Sequence, residues 1–381
     1  MSVTSAGRPT RERERRKTAR KRSRATPHNP FFEHSARSES IVARSRRLLG
    51  RAPAARIALL LCGLAVLAVV FRSIGWPAIA SNLARIGGWF AALVALYGLA
   101  QLAFAQGWRV LFDTGSPRPS FPKLFAVYLA GDAFNYLAPG GVAGEPLKAR
   151  MLRGATSTGD AVASLTIHKH ADLLAQWIFV SLGVAIALWR FPIALAARLL
   201  ALAGAGALGV LLLLLTWGLS RGTYSPVLRW LARWKVLAAR LDRFQKPAAD
   251  LDGRIRDFYR LHRGRYAAAT GWCFLGWCGG LLETYLLLHL LVPGSGFPGA
   301  FAVEALAMAF NNMLIFIPGR LGSAEGVRVG VFLILSLPAG AGAAYGLARR
   351  GRELAWILPG LVAYLQWQAL AGASAPAGEQ P

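Results

Sequence analysis

Long apolar runs, separated by short polar or basic breaks, set the pattern of this chain. They cover residues 56–71, 88–112, 161–189, 195–219, 266–292 and 354–370. A helix of roughly 20 apolar residues crosses a hydrocarbon layer of about 30 Å, and these runs reach or approach that length. Strict period-2 alternation is absent, so the runs predict helices and not barrel strands. The expectation is an all-α, polytopic integral membrane protein.

Tracking the basic residues across these runs predicts a topology. The first run leaves the cytoplasm, residues 73–87 lie outside, and the second run returns to deliver Arg118 and Lys123 inside. The next apolar stretch, 121–139, ends in YLAPGGVAGEPLKARML, residues 136–152. A full crossing here would strand Lys148, Arg150 and Arg153 outside, against the positive-inside rule. A re-entrant hairpin avoids this: the chain enters, breaks at Pro139-Gly140-Gly141, and returns as a half-helix beginning near Gly144.

A second break, FIPGRLGSAEGVRVGVF at residues 316–332, echoes the first. Pro139-Gly140 matches Pro318-Gly319, and Gly144-Glu145 is echoed by Gly322 and Glu325, each followed by a basic residue. Asp172 follows Glu145 by 27 residues and Glu353 follows Glu325 by 28. Three predicted crossings separate the breaks. An odd number sends the second hairpin in from the outside, which predicts two inverted-topology repeats, each containing a re-entrant helical hairpin.

Composition agrees with a membrane chain, at 55% hydrophobic residues and a mean hydropathy of +0.40. The formal charge of +26 is concentrated: residues 1–56 hold 16 Lys and Arg against 4 acids, and residues 220–265 hold 12 against 4. Such blocks beside spans suit cytoplasmic segments resting on anionic lipid. They argue against a nucleic-acid role, because no binding fold or interleaved aromatics accompany them. The predicted organisation is a disordered basic tail over 1–55, a membrane domain over 56–372 with a cytoplasmic basic loop at 220–265, and a short tail over 373–381. Ser45-Arg46-Arg47 before an apolar run imitates a cleavable twin-arginine signal, but the later spans favour retention of the first run as a helix. Arginine outnumbers lysine 37 to 7, as in GC-rich bacteria, so the expected location is a bacterial inner membrane with the amino terminus in the cytoplasm. Cys62, Cys273 and Cys278 all lie in apolar runs and form no CxxC pair, which points to neither disulfides nor zinc.

The candidate chemistry gathers at the breaks. A half-helix starting at Gly144 would aim free N–H groups and a positive dipole end into the membrane interior, where an anionic group can bind. Glu145, Lys148 and Arg150 ride on it. The same residues also fit an ordinary helix stop and start, with Pro146 in a first turn. Lys169, Asp172, Glu304, Arg349, Arg350, Arg352 and Glu353 lie in or near spans, where each charge costs about 2.5–3.5 kcal/mol, so they are expected to pair and mark a pathway. The alternative is that they snorkel to the interface. His168 and His170 diverge by about 200° on a helix, which disfavours a shared metal ion. No P-loop, HExxH or Ser/His grouping is present, and the GxGxxG match at 294–299 contains Pro298 and follows no strand. The expectation is a non-enzyme without cofactor, with a membrane scaffold for envelope biosynthesis or a lipid-modifying enzyme as alternatives.

The PGG-x-x-GE unit, the PG-x-x-G-x-x-EG unit and the closing ARRGRELAWILPGLVAY together resemble the flippase-like membrane family related to the transmembrane region of lysylphosphatidylglycerol synthase. The resemblance covers roughly residues 57–370, and from Glu304 through Tyr364 it is most similar to a subgroup associated with hopanoid biosynthesis. It implies a protein that moves or binds lipids, with anionic or polar-headed membrane lipids as partners. On the reading of two inverted hairpins, Gly140, Gly141, Gly144, Pro318, Gly319 and Gly322 shape the breaks, and a phosphate-bearing headgroup would be held by the half-helix N–H groups and by Lys148, Arg320, Arg349 or Arg350. Two departures stand out: the sequence ends at Pro381 without a soluble aminoacyl-transferring domain, and Arg320 occupies a place where a second glycine is common.

Overall fold

The computed structural model describes residues 76–112, 118–137, 143–222, 224–233, 235–314 and 322–373. The first predicted span, the basic tail, Gly140, Gly141, Pro318, Gly319 and Arg320 lie outside the described residues. Within them the chain forms helices and turns with no strand: α1 (Trp76–Ile86), a 3-10 turn at Gly87–Trp89, α2 (Phe90–Arg109), α3 (Phe121–Leu137), α4 (Gly144–Met151), α5 (Thr158–Arg190), α6 (Leu195–Arg221), α7 (Tyr224–Ala232), α8 (Lys235–Leu261), α9 (Arg263–Leu291), α10 (Gly296–Met313), α11 (Ser323–Ile334) and α12 (Ala339–Ala373). Among the described residues, four helical stretches are long and apolar enough to cross a membrane: Trp76–Arg109, Thr158–Arg190, Leu195–Leu219 and Arg263–Leu291. The protein is therefore an all-α polytopic membrane protein. On α6, Leu199, Leu202, Val210, Leu213 and Leu214 point outward, as suits a helix solvated by lipid.

Two ends of the bundle are defined by contacts. At one end Arg265 of α9 donates to the carbonyls of Val110 (2.9 Å) and Phe112 after α2, and Arg109 lies 5.5 Å from the Phe121 ring at the start of α3. Asp160 at the start of α5 pairs there with Arg254 of α8 at 2.5 Å. At the other end Gly299 of α10 lies near Leu288 of α9 and Phe191 after α5. Here too α1 places Ile79 against Ala343 near the start of α12.

α3 leaves the first end and α4 runs back along it. The Gly144 N–H donates to Asn135 Oδ1 at 2.7 Å, and one turn later Lys148 lies over the Tyr128 ring at 4.8 Å. A Cβ at Gly144 would run into the Gly131 carbonyl, so α4 rests directly on the backbone of α3. α10 and α11 form the corresponding break, and there Gly322 adopts φ +76°, a left-handed conformation that costs glycine little. The long helices exchange partners across these breaks: α5 packs along α10, where Gly183 faces Phe301 and Ala305, and α12 packs along α3, where Gly360 faces Leu129 and Ala133. Small residues at these crossings let the backbones approach, which matters where no hydrophobic effect drives helices together.

Three segments differ from expectation. The basic loop 220–265 is mostly helical, because α8 carries Ala248, Ile255 and Phe258 at helical spacing and buries Ile255 and Phe258 against the bundle and Ala248 beside α7. Within residues 73–87, expected as a connecting stretch, Ile79, Leu83 and Ile86 make one apolar face and form α1. The run at 354–370 belongs to a longer helix that begins at Ala339 and carries Arg349, Arg350, Arg352 and Glu353 in its interior.

The expected sidedness is checked by introduced cysteines in a background lacking Cys62, Cys273 and Cys278. Thr158→Cys leaves the Ser157 cap of α5 in place, where Ser157 Oγ accepts the Asp160 N–H at 3.1 Å. An impermeant thiol reagent on intact cells is expected to label Ser295→Cys and not Thr158→Cys. Labelling at both positions would overturn the hairpin topology.

Candidate functional site

The charges of α12 are paired, with Arg349 and Arg352 buried and Arg350 and Glu353 partly buried. Arg349 donates to Glu304 of α10, to Thr284 of α9 (3.1 Å) and to the Tyr345 hydroxyl (2.5 Å), while Thr284 and Tyr345 themselves donate to Glu304 at 2.6 and 3.0 Å. Arg352 donates to Glu283 of α9 at 2.8 Å and stacks over the Tyr97 ring of α2. Arg350 bonds Glu325 of α11 at 2.7 Å and Glu353 at 3.4 Å, and it donates to the hydroxyl of Tyr136 on α3. Arg328 of α11 reaches Glu353 at 3.4 Å and Glu325 at 3.9 Å. Four arginines thus lie among four glutamates, and each charge has an opposite charge within 4 Å. Burial of ions is tolerated only with such pairing.

The first break carries a sparser version. Glu145 of α4 accepts from Lys148 (2.9 Å) and from Asn135 Nδ2 (2.8 Å), and Lys148 is only 4% exposed. Lys169 and Asp172 pair at 3.3 Å on α5, with Asp172 also accepting from the Trp277 indole at 3.2 Å. Both halves share one arrangement: a glutamate with a base three residues later on the short helix, and a base with an acid three residues later on the long one. They differ in closure. Arg350 reaches across to Glu325, whereas no ion pair joins Lys169 to Glu145, and the Lys169 side chain stays 55% exposed.

Glu145 and Lys169 instead line a cavity of about 510 Å³, whose walls include Pro146, Leu173, Leu215 and Leu219. The lining is predominantly apolar with a few polar groups, as expected of a site for an amphipathic molecule. His170 also borders it, but its ring is committed. Thr216 Oγ1 donates to the Leu212 carbonyl, so at 2.9 Å it accepts from His170 Nε2–H; Nδ1 then faces the Tyr259 and Tyr266 hydroxyls at 2.7 and 3.0 Å as their acceptor. Burial pushes the Tyr259 phenol well above its ordinary pKa, which keeps it protonated and able to donate. His168 faces elsewhere, donating to the Phe104 carbonyl at 3.0 Å.

The structure gathers Glu304, Arg349, Arg350, Arg352, Glu353 and Glu325 into one network, and Gly144, Glu145 and Lys148 into another. Lys169 lines the cavity beside the latter, and Asp172 is paired with it. Arg150 does not join; it is exposed, 5.7 Å from the Trp367 ring. Sequence reasoning missed Asn135, Tyr136, Glu283, Thr284, Arg328 and Tyr345. One signal was present: Ala-Phe-Asn precedes both breaks, at 133–135 and 309–311. In the second copy the Asn311 Oδ1 is buried without a hydrogen-bond partner, and Gly322 N–H is satisfied by Glu325 at 2.8 Å.

Removing one partner of a buried ion pair costs about 3–5 kcal/mol, because the other charge is left uncompensated. Arg349→Gln is therefore expected to lower the thermal unfolding midpoint of the purified protein markedly. Glu304→Gln/Arg349→Gln is expected to recover most of the loss. A double variant no more stable than the single one would show that this pair does not hold α10 to α12.

Comparison with known proteins agrees with this architecture. A family model described as the lysylphosphatidylglycerol synthase TM region matches residues 54–360. The chain is similar to a UPF0104 membrane protein of Methanothermobacter thermautotrophicus, at 26% identity over 279 residues that cover 67% of this chain and 76% of the relative. No solved structure matches.

Proposed function

This chain belongs to the lysylphosphatidylglycerol synthase TM region family, and we propose that it moves an anionic or polar-headed lipid between membrane leaflets without changing it chemically. The observation that carries this reading is the cavity beside α4, where a mostly apolar lining meets Glu145 and an exposed Lys169. A hydrocarbon chain suits the apolar walls, and a polar headgroup suits the charged rim.

Translocation also needs access from both sides, and inverted repeats provide it in many transporters. The reading of two inverted hairpins is supported by α3 and α4 meeting one end of the bundle while α10 begins at the other. It is supported again by the reciprocal packing of α5 on α10 and α12 on α3. Closure of Arg350 on Glu325 in one half, with Lys169 apart from Glu145 in the other, is what two half-sites of an alternating device would display in a single state. The expected setting is a bacterial inner membrane with the amino terminus inside.

Purified protein in vesicles with labelled lipids is expected to speed exchange between leaflets. Lys169→Gln should slow that exchange roughly tenfold or more without loss of folding, since a tenfold change needs only about 1.4 kcal/mol. Glu145→Gln/Lys148→Gln removes both paired charges together and should also abolish exchange at normal abundance. Exchange at the protein-free rate for every host lipid, with a new lipid product appearing, would establish a lipid-modifying enzyme instead.

A further inference from the structure

α6 presents leucines to lipid along its length and then changes character within one turn. Leu213 and Leu214 are exposed, Trp217 is 58% exposed, and the Arg221 guanidinium lies over the Trp217 ring at 4.6 Å. An outward tryptophan beneath an arginine that reaches back along the helix marks the level where hydrocarbon meets headgroups. The helix ends there. Gly222 turns the chain with φ +83°, and a Cβ at this position would meet the Asp252 carboxylate at 3.1 Å. That carboxylate accepts the first N–H groups of α7, from Tyr224 at 3.0 Å and Ser225 at 2.8 Å. α7 therefore starts just beyond the boundary and is pinned to α8.

The sequence of α7 sorts by face. At about 100° per residue, Val227, Trp230 and Leu231 share an arc of about 100°, while Arg229 and Arg233 fall on the other side. Val227 and Trp230 are 48% and 56% exposed. Phe244 of α8, 45% exposed, borders the same apolar groove as Val227, a space of about 470 Å³ walled by Leu228, Pro247 and Leu251. A continuous apolar patch of this kind marks a surface that meets another apolar phase.

Continuity and charge identify that phase. The lipid-facing side of α6 leads into the patch within a turn of the Trp217–Arg221 boundary, so the bilayer is already adjacent. Residues 220–265 carry 12 Lys and Arg against 4 acids, and Arg229 and Arg233 are exposed on the face away from Val227. A helix with apolar residues on one side and arginines on the other suits the layer between acyl chains and headgroups. We infer that α7 is an in-plane membrane anchor, with Val227 and Trp230 in the acyl layer and Arg229 and Arg233 among the headgroups. The anchor begins at the rim of the cavity beside Glu145. Tyr224 borders both that cavity and the groove, and because Thr166 Oγ1 donates to the Val162 carbonyl, the Tyr224 hydroxyl donates to Thr166 at 2.8 Å. The anchor goes beyond the translocation reading and does not depend on it.

The test is the depth of single spin labels on the full-length protein, in nanodiscs of dioleoylphosphatidylcholine and dioleoylphosphatidylglycerol and in the background lacking Cys62, Cys273 and Cys278. Labels at Val227→Cys and Trp230→Cys should be relaxed more by oxygen, which concentrates in the acyl layer, than by a water-soluble nickel chelate. They should lie about 5–10 Å into the headgroup–acyl boundary. Labels at Arg229→Cys and Arg233→Cys should show the reverse order. Each apolar variant leaves the other anchoring residue in place, so agreement between the two excludes a local distortion. Nickel-dominated relaxation at all four positions would place α7 in water and overturn the anchor. Immobilised labels at 227 and 230, shielded from both reagents, would show that protein covers the patch and overturn the membrane assignment.

Salt separates insertion from surface attraction. At about 1 M salt the Debye length is about 3 Å, and attraction between the arginines and anionic headgroups is largely screened. Unchanged depths at 227 and 230 are expected, because apolar insertion does not rely on charge. Emergence of both labels into water under salt would leave only an electrostatic association and overturn the anchor.

Discussion

Charge neutrality inside the bundle is the constraint on which the architecture depends. α12 carries Arg349, Arg350, Arg352 and Glu353 among the packed helices, and three different helices supply the answering groups. Glu283 comes from α9, Glu304 from α10 and Glu325 from α11. Each of these carboxylates is buried, so each would be costly without its arginine. The network fixes the second half of the bundle as a unit, since shifting any one helix leaves charges on two of them unmatched. Direction as well as attraction is specified, because Thr284 and Tyr345 donate to the same Glu304 oxygen, Oε2, that Arg349 holds, and so fix how the carboxylate is turned.

The first half meets the same constraint with fewer groups. Lys148 and Asn135 satisfy Glu145 within the α3–α4 pair, and Asp172 satisfies Lys169 within α5. Satisfying charges locally leaves α4 and α5 without an ion pair between Glu145 and Lys169, and a space remains between α4, α5 and α6. The cavity is thus a consequence of where the counter-ions sit. Had Lys169 been placed to reach Glu145, as Arg350 reaches Glu325, the walls would be drawn together.

How much of this could be read in the chain depends on the range of the interaction. The start of α4 was legible because Pro139-Gly140-Gly141 stops a helix and Gly144-Glu145-Pro146 begins one, all within a few residues. The pairing of charges in or near the apolar runs was legible because isolated ones are too costly there. Their partners were not, since Glu283 and Arg352 are 69 residues apart and only tertiary packing brings them together. Asn135 escaped notice as one polar residue in an apolar run, though its role in holding α4 explains it. α8 was not legible because its many charges surround the sparse apolar face formed by Ala248, Ile255 and Phe258.

The bond from Arg350 to Tyr136 has a mechanical meaning. Tyr136 sits on α3 just ahead of the first break, while the same guanidinium holds Glu325 just behind the second. One side chain therefore clasps both interrupted helices at once. Tilting α3 must either drag α12 along with it or surrender that bond. The two interruptions are geared together, and a change in one is felt by the other across a single planar group.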